Sequence, residues 1–255
     1  MIPNASARDV AGILGNRLPQ SDWLEGRSLS IVLAEGSLSM SFTDFAVHWR
    51  LPDGTEGIDT YDAVEVRPNM YFLDVWLRSS DDHRSLTVVV DVRGGNALTV
   101  LSTASKQGYT GETNFAQAFA PGCLPDRTGP WEQAAQPSRD PIGQRLLSYY
   151  SPDLVFEHIY LNSDSVAWQC LRGWEPGAND TNEATYWRFA DDLYVFGFRE
   201  SAAQSSSVFL LDLKEQRSTG QFHGVGETGQ LVHGALGAAL DTLGSVRYPA
   251  DLHPI

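Results

Sequence analysis

Val166-Ala167-Trp168, Thr185-Tyr186, Tyr194-Val195-Phe196-Gly197-Phe198 and Phe209-Leu210-Leu211-Asp212-Leu213 read as the second copy of an earlier run. The earlier run is Val47-His48-Trp49, Thr60-Tyr61, Tyr71-Phe72-Leu73-Asp74-Val75 and Val88-Val89-Val90-Asp91-Val92. Order and spacing agree, apart from an insertion of roughly six residues around Glu175–Thr181 in the second copy. Such self-similarity decides the architecture before any single strand is assigned. Positions at which the copies differ are where function can have been added to a shared frame.

Outward from these runs the pattern stays that of strands. Leu29–Leu33, Ser37–Phe42, Ala46–Leu51, Ala63–Arg67, Met70–Leu77, Leu86–Val92 and Ala97–Thr103 are short and rich in β-branched and aromatic residues. Turn formers separate them at Pro52-Asp53-Gly54, Pro68-Asn69 and Gly94-Gly95-Asn96. Strands resume at Leu154–Leu161, Ser165–Leu171, Ala184–Phe189, Leu193–Arg199, Ser207–Leu213 and Ser218–His223. Connections this short leave no room for crossover helices, so the pairing is antiparallel. The fold class is therefore all-β, with two repeated antiparallel meander or barrel units. One covers residues 1–120 and the other 149–255, joined by a linker over 121–148 that Pro121, Pro125, Pro130, Pro137 and Pro141 punctuate. Val10, Ile13, Leu14 and Leu18 have helical spacing, which predicts a short N-terminal helix over Ala5–Leu18.

The net charge of −14 excludes sequence-independent binding to nucleic acid or to anionic membranes, since both need a basic surface. No apolar run approaches the roughly 18 residues that span a bilayer, and no basic-then-apolar leader opens the chain. Cys123 and Cys170 lie far apart without metal-ligand spacing, as reduced thiols of a cytoplasmic protein do. Sheet edges left over from two meanders leave room for a homodimer.

Gly224-Val225-Gly226-Glu227-Thr228-Gly229 matches a dinucleotide-binding glycine pattern, but antiparallel strands precede it and no acid-terminated strand follows. It reads as a turn. The six histidines contain neither H-E-x-x-H nor H-x-H, and there is no nucleophile elbow and no P-loop. No metal and no cofactor is predicted.

Polar residues inside strands are more informative. Alternation puts Phe156, His158 and Tyr160 on one face, Ala184, Tyr186 and Arg188 on another, and Thr219, Gln221 and His223 on a third. One face of every barrel strand points inward. An interior of aromatics with a few His, Tyr and Arg groups is what a small-molecule site needs. His158, Tyr186 and His223 are the candidate catalytic residues. Tyr160, Arg188, Trp168, Trp187 and His48 are the candidate binding residues. His suits proton transfer near neutral pH, Tyr can hold a developing enolate or phenolate, and Arg can clamp a carboxylate. Each also has a plainer use as core packing or a solvated rim, and a phase error of one residue would exchange inside for outside.

The run Ala184-Thr185-Tyr186-Trp187-Arg188-Phe189-Ala190-Asp191-Asp192-Leu193-Tyr194-Val195-Phe196-Gly197-Phe198-Arg199-Glu200, with Leu211-Asp212-Leu213 and Thr219–Gly224, resembles the C-terminal domain of the MoaF family. Gly54–Tyr61 and Asn69–Val92 resemble that family's N-terminal domain. The resemblance implies two related calycin-like (lipocalin-like) β-domains and an association with molybdenum cofactor biosynthesis. It implies no catalytic residue set. Calycin-like barrels include carriers, phenolic acid decarboxylases and cyclases, so the fold does not choose among them.

Together these readings predict an intracellular barrel protein holding a small, partly aromatic molecule in its second unit, as a cofactor-independent lyase, isomerase or cyclase of small-molecule biosynthesis. The alternative is a non-catalytic binding or carrier protein.

Overall fold

The computed structural model describes residues 15–80, 83–104, 115–127, 134–173, 175–200, 203–226, 229–249, 251–252 and 254. Among these residues every regular element is a β-strand. The first nine are β1 (Ser28–Leu33), β2 (Gly36–Phe42), β3 (Val47–Arg50), β4 (Glu56–Asp59), β5 (Tyr61–Arg67), β6 (Met70–Trp76), β7 (Arg84–Asp91), β8 (Asn96–Ala104) and β9 (Phe115–Cys123). They form one sheet in the order β4-β3-β2-β1-β9-β8-β7-β6-β5. The rest are β10 (Gln136–Pro137), β11 (Gln144–Ser151), β12 (Leu154–Tyr160), β13 (Ser165–Arg172), β14 (Asn179–Ala190), β15 (Leu193–Glu200), β16 (Ser205–Asp212), β17 (Arg217–Val225) and β18 (Leu231–Ser245). Their order is β10-β14-β13-β12-β11-β18-β17-β16-β15, and a further β14–β15 pairing closes β11 to β18 into an eight-stranded barrel.

The chain thus folds as two all-β units, one running from Leu18 to Gln136 and one from Pro137 onward that also holds residues 15–17. Most of the expected N-terminal helix, residues 5–14, lies outside the described residues, and 15–18 are turn and irregular backbone.

Strand register fixes how the copies correspond. Trp49 lies opposite Met40 and Gly57, and Trp168 opposite His158 and Asp180. Tyr61 lies opposite Val75, and Ala184 opposite Phe198. Thr60-Tyr61 therefore matches Glu183-Ala184, not Thr185-Tyr186 as expected, and the insertion is four residues rather than six. The shared Thr-Tyr dipeptide is a coincidence of spelling.

What the copies share is a frame. Trp49 Nε1 donates to Asp59 Oδ2 at 2.9 Å, and Trp168 Nε1 to Asn182 Oδ1 at 2.8 Å. Asp91 Oδ1 accepts from the amides of Arg93 and Gly94, and Asp212 Oδ1 from those of Lys214 and Glu215, so the repeated aspartate caps a turn. Left-handed turn residues recur at Asn69 and Asp192, and at Gly95 and Gln216. Lead-in turns recur as well: the Ser21 amide donates to the Ala63 carbonyl and the Ser138 amide to the Tyr186 carbonyl. Gly26 and Gly143 then donate to Phe42 and Tyr160. Residues 138–143 accordingly belong to the second unit, and β9 runs on to Cys123, so the expected linker over 121–148 is shorter at both ends.

Each unit has one core. In the first, Leu29, Ile31, Leu38, Met40, Trp49, Leu73, Val75, Leu77, Leu86 and Val88 fill the interior. In the second, Tyr160, Tyr186, Phe196, Phe198, Phe209 and Leu240 belong to the core, with Phe156, Trp168 and Phe222 packed against it. Glycines accommodate the rings: a Cβ on Gly220 would stand 2.5 Å from the Phe209 ring, and one on Gly234 2.7 Å from Phe222.

Candidate functional site

Laying the two interiors over each other isolates a polar set. Where the first unit has Ile31, Met40, Leu77 and Leu86, the second has Ser148, His158, Glu200 and Ser207. Gly57 gives way to Asp180. All five second-copy residues lie between the barrel's middle and the end where β15 finishes and β16 begins. The opposite end is covered in both units by the lead-in turn. There Trp23 stacks on Tyr71 at 4.8 Å in the first unit, and Tyr194 donates to Asp140 at 3.3 Å in the second.

His158 stands mid-barrel, 6% exposed, with ring centroids of Phe196 and Phe198 each 6.2 Å away and Tyr160 at 6.5 Å. Burial holds its pKa down to about 4, against a weaker upward pull from Glu157. The imidazole is therefore neutral at pH 7. Its Nδ1 lies 3.3 Å from Ser148 Oγ. Either atom can be the donor: in the tautomer whose Nδ1–H donates to that hydroxyl, Nε2 carries a lone pair, and among the described residues no protein group bonds it. Tyr160 is buried as well, its hydroxyl has no hydrogen-bond partner among the described residues, and burial raises its pKa well above the ordinary phenol value.

Tyr186 is placed beside them, its ring stacked on Phe196 at 5.5 Å. Its hydroxyl, however, donates to the Ser165 carbonyl at 3.0 Å, which turns it into a structural strut. Trp168 lies on the same inner face with its N–H committed to Asn182. Arg188 sits in the inward phase of β14 opposite Tyr194, at the end covered by the lead-in turn and remote from His158.

Three expectations need correction. His223 does not face the interior: its cross-strand partners Ser206 and His233 are on the barrel's outer face, while Gly220 and Phe222, opposite Phe209 and Ser207, point in. It is nevertheless fully buried, at 0% exposure, and its ring lies 5.4 Å from that of His233. Trp187 is on the outer face of β14 opposite Val195. His48 is exposed, because the neighbouring Val47 and Trp49 take the inward positions of β3.

The comparisons with known proteins fit this frame. The MoaF N-terminal domain profile matches residues 10–106 and the MoaF C-terminal domain profile residues 135–246. Protein MoaF of Klebsiella aerogenes is 32% identical over a stretch covering 73% of this chain and 74% of that protein. The chain belongs to the MoaF family. The resemblance read from Ala184–Glu200 is thereby established for both halves. Among solved structures, a Burkholderia vietnamiensis protein provisionally assigned as a β-lactamase overlaps 42% of this chain and 99% of its own, at 17% identity and a TM-score of 0.35. A likeness at that level carries no functional weight.

The second MoaF domain also holds residues that strand-by-strand reading passed over. Glu200 is the chief one. Tyr194, Phe196, Phe198 and Glu200 share one face of β15, so a carboxyl continues an aromatic stripe in phase. Burial first, and the nearby Asp180 second among the raising causes, lift its pKa, while Ser205 Oγ, donating at 2.9 Å, works against them. Tyr150, on the inner face of β11, is the other: its ring lies 6.0 Å from Phe156, which in turn lies 5.8 Å from Trp168.

Proposed function

We propose that the second barrel encloses a small, partly aromatic molecule and acts on it without a cofactor, as a lyase, isomerase or cyclase of small-molecule biosynthesis. The observation that carries this reading is the replacement of Ile31 and Met40 in the first interior by Ser148 and His158 in the second. A frame kept intact in two copies has no folding reason to exchange a packed methionine for a desolvated imidazole. The aromatic walls supply apolar contact, and the few polar atoms supply direction.

In this reading His158 Nε2 is the acceptor. It takes a hydrogen bond, or a proton, from an acidic C–H or O–H of the bound molecule, and Ser148 holds the ring in the tautomer that leaves Nε2 free. The Tyr160 hydroxyl donates to an oxygen that gains charge. Because His158 is already neutral well below pH 7, turnover is expected to be level from pH 6 to 8, without the inflection of a solvent-exposed histidine.

The second reading is a non-catalytic binding or carrier protein, consistent with the family name's link to molybdenum cofactor biosynthesis. The commitment of the Tyr186 hydroxyl to backbone favours it, since that removes one proton donor from the interior.

Native mass spectrometry of the purified protein, repeated on His158→Gln and on the outer-face control His223→Gln, tests the site. A small molecule retained by the wild type and by His223→Gln, and weakened in His158→Gln, supports it. Retention unchanged in His158→Gln removes it. Conversion of the recovered molecule by wild type and not by His158→Gln separates enzyme from carrier.

A further inference from the structure

β18 is longer than the strand beside it. β17 pairs with it from Leu231 to Ala239, but β11 pairs only from Ala239 to Ser245, because β11 turns away after Tyr149. Among the described residues, no strand pairs with the other edge of β18 from Leu231 to Ala238. A bare edge of that length is a template for another chain unless a helix or loop covers it. Leu231, Val232 and Ala235 on it are half-buried, and Leu236 and Ala238 are buried.

The chain ahead of the first unit arrives at the start of this edge. The Asn16 amide donates to the Tyr150 carbonyl at 3.1 Å, and its Nδ2 donates to the Tyr149 carbonyl at 2.7 Å, so one residue is hooked twice onto the end of β11. Arg17 then lies against β18: a Cβ on Gly237 would stand 2.5 Å from Arg17 Cα, and glycine is what permits the approach. The far tip of the edge is marked too. Register puts Glu200, Ser205, Gly224 and Val232 in one cross-strand line, so the tip of β18 is level with Glu200. Burial is the first cause that lifts the Glu200 pKa, and the chain's positive amino terminus is the foremost charge that pulls it back. Residues 1–14 thus leave from one end of the edge, and their charge is felt at the other.

The lengths agree. The eight residues from Leu231 to Ala238 extend about 26 Å as a strand. Fourteen residues with the helical spacing of Val10, Ile13 and Leu14 extend about 21 Å. We propose that the unpaired edge of β18, Leu231–Ala238, is the docking site of residues 1–14 of this chain, which set Val10, Ile13 and Leu14 against it and cap the polar end of the second barrel. The opposite end already has its cover in the lead-in turn, through Ser138 on Tyr186 and Gly143 on Tyr160. The cap goes beyond the reading of the barrel as a ligand site and does not depend on it; for an enclosed molecule it is the door.

Hydrogen exchange of the full chain, read by mass spectrometry, tests the docking. The triple variant Val10→Asp, Ile13→Asp, Leu14→Asp should speed exchange in the peptide carrying Leu231–Ala238 by at least about tenfold, while peptides of β15 and β16 stay within about twofold. Asn16→Ala, which loses only the side-chain hook, should speed the same peptide severalfold, and it carries the test where the triple variant does not fold. Exchange unchanged in both variants overturns the proposal. So does protection that fades on dilution as light scattering shows a dimer dissociating, since that assigns the edge to a second copy. No bound molecule enters these readouts, so the cap and the ligand site stand or fall separately.

Discussion

The two units are one design built twice with opposite interiors. Both hang a tryptophan N–H on an Asx side chain, cap a turn with the same aspartate, and begin with the same serine turn. One then fills the space with Leu, Ile, Val and Met; the other sets His158, Ser148, Glu200 and Ser207 among stacked rings. The frame tolerates either filling, so stability resides in the ladders and turns, and the interior of the second unit is free to serve something else. Proteins commonly give up stability where they act.

The largest expected effect comes from exchanging interiors. Leu77→Glu buries an unpartnered carboxyl at a position now 0% exposed and should destabilise the first unit by on the order of 4 kcal/mol. Glu200→Leu should be neutral or gain up to about 1 kcal/mol. Urea unfolding of the two variants reads both numbers, and equal losses would break the contrast drawn between the units.

Acid gives the next effect. The folded pKa of His158, about 4, lies below its ordinary 6.5, so between those values the unfolded chain binds the extra proton. Stability of the second unit is therefore complete above pH 6.5 and falls by about 3 kcal/mol on going down to pH 4. Glu200 acts in the other direction: its raised pKa adds stability at acid pH that fades as pH rises through the folded value. His158→Phe should flatten the acid loss and Glu200→Gln should steepen it, as measured by denaturant midpoints at pH 7.0 and 4.5. The first unit, with Met40 at the matching place, should show no such slope from its interior.

The smallest effect sharpens the comparison of the frames. Gly95 and Gln216 hold the same turn position, with φ of 79° and 51°. Gln216→Gly removes the cost of a side chain in the left-handed region and should add up to about 1 kcal/mol to the second unit, a few degrees in thermal midpoint. No gain would mean that the two turns differ in ways their hydrogen bonds do not reveal.

The repeat, the strands and the antiparallel pairing were legible because turn formers and apolar runs alternate so regularly. The inner face of β14 was legible too, since its other side carries the solvated Asn179, Thr181 and Glu183, which betray the phase; β12 has no such side, its outer Glu157 being 2% exposed. β17 defeated that logic. Thr219, Gln221 and His223 are buried on its outer side as fully as Gly220 and Phe222 are on the inner, so polarity alternates without marking water. Pairing Thr60-Tyr61 with Thr185-Tyr186 failed for another reason: residue identity was followed where register decides. Glu200 was within reach, two residues beyond Phe198 on an aromatic stripe, but only its phase, and not any motif, announces it.

One difference between the units lies in the backbone itself. Glu183 is laddered on both sides, to Ser165 and to Arg199, and its side chain also binds Arg199 at 2.9 Å. Its counterpart Thr60 falls in the gap between β4 and β5 and belongs to no ladder. The second barrel is thus a hoop without a seam, and the first a hoop with one. A seamed hoop can part at that point by a small local opening, and its amides should exchange with solvent early. A seamless one must break a ladder to widen, so its easy motions are confined to its ends, on a clock set by side chains rather than by strands.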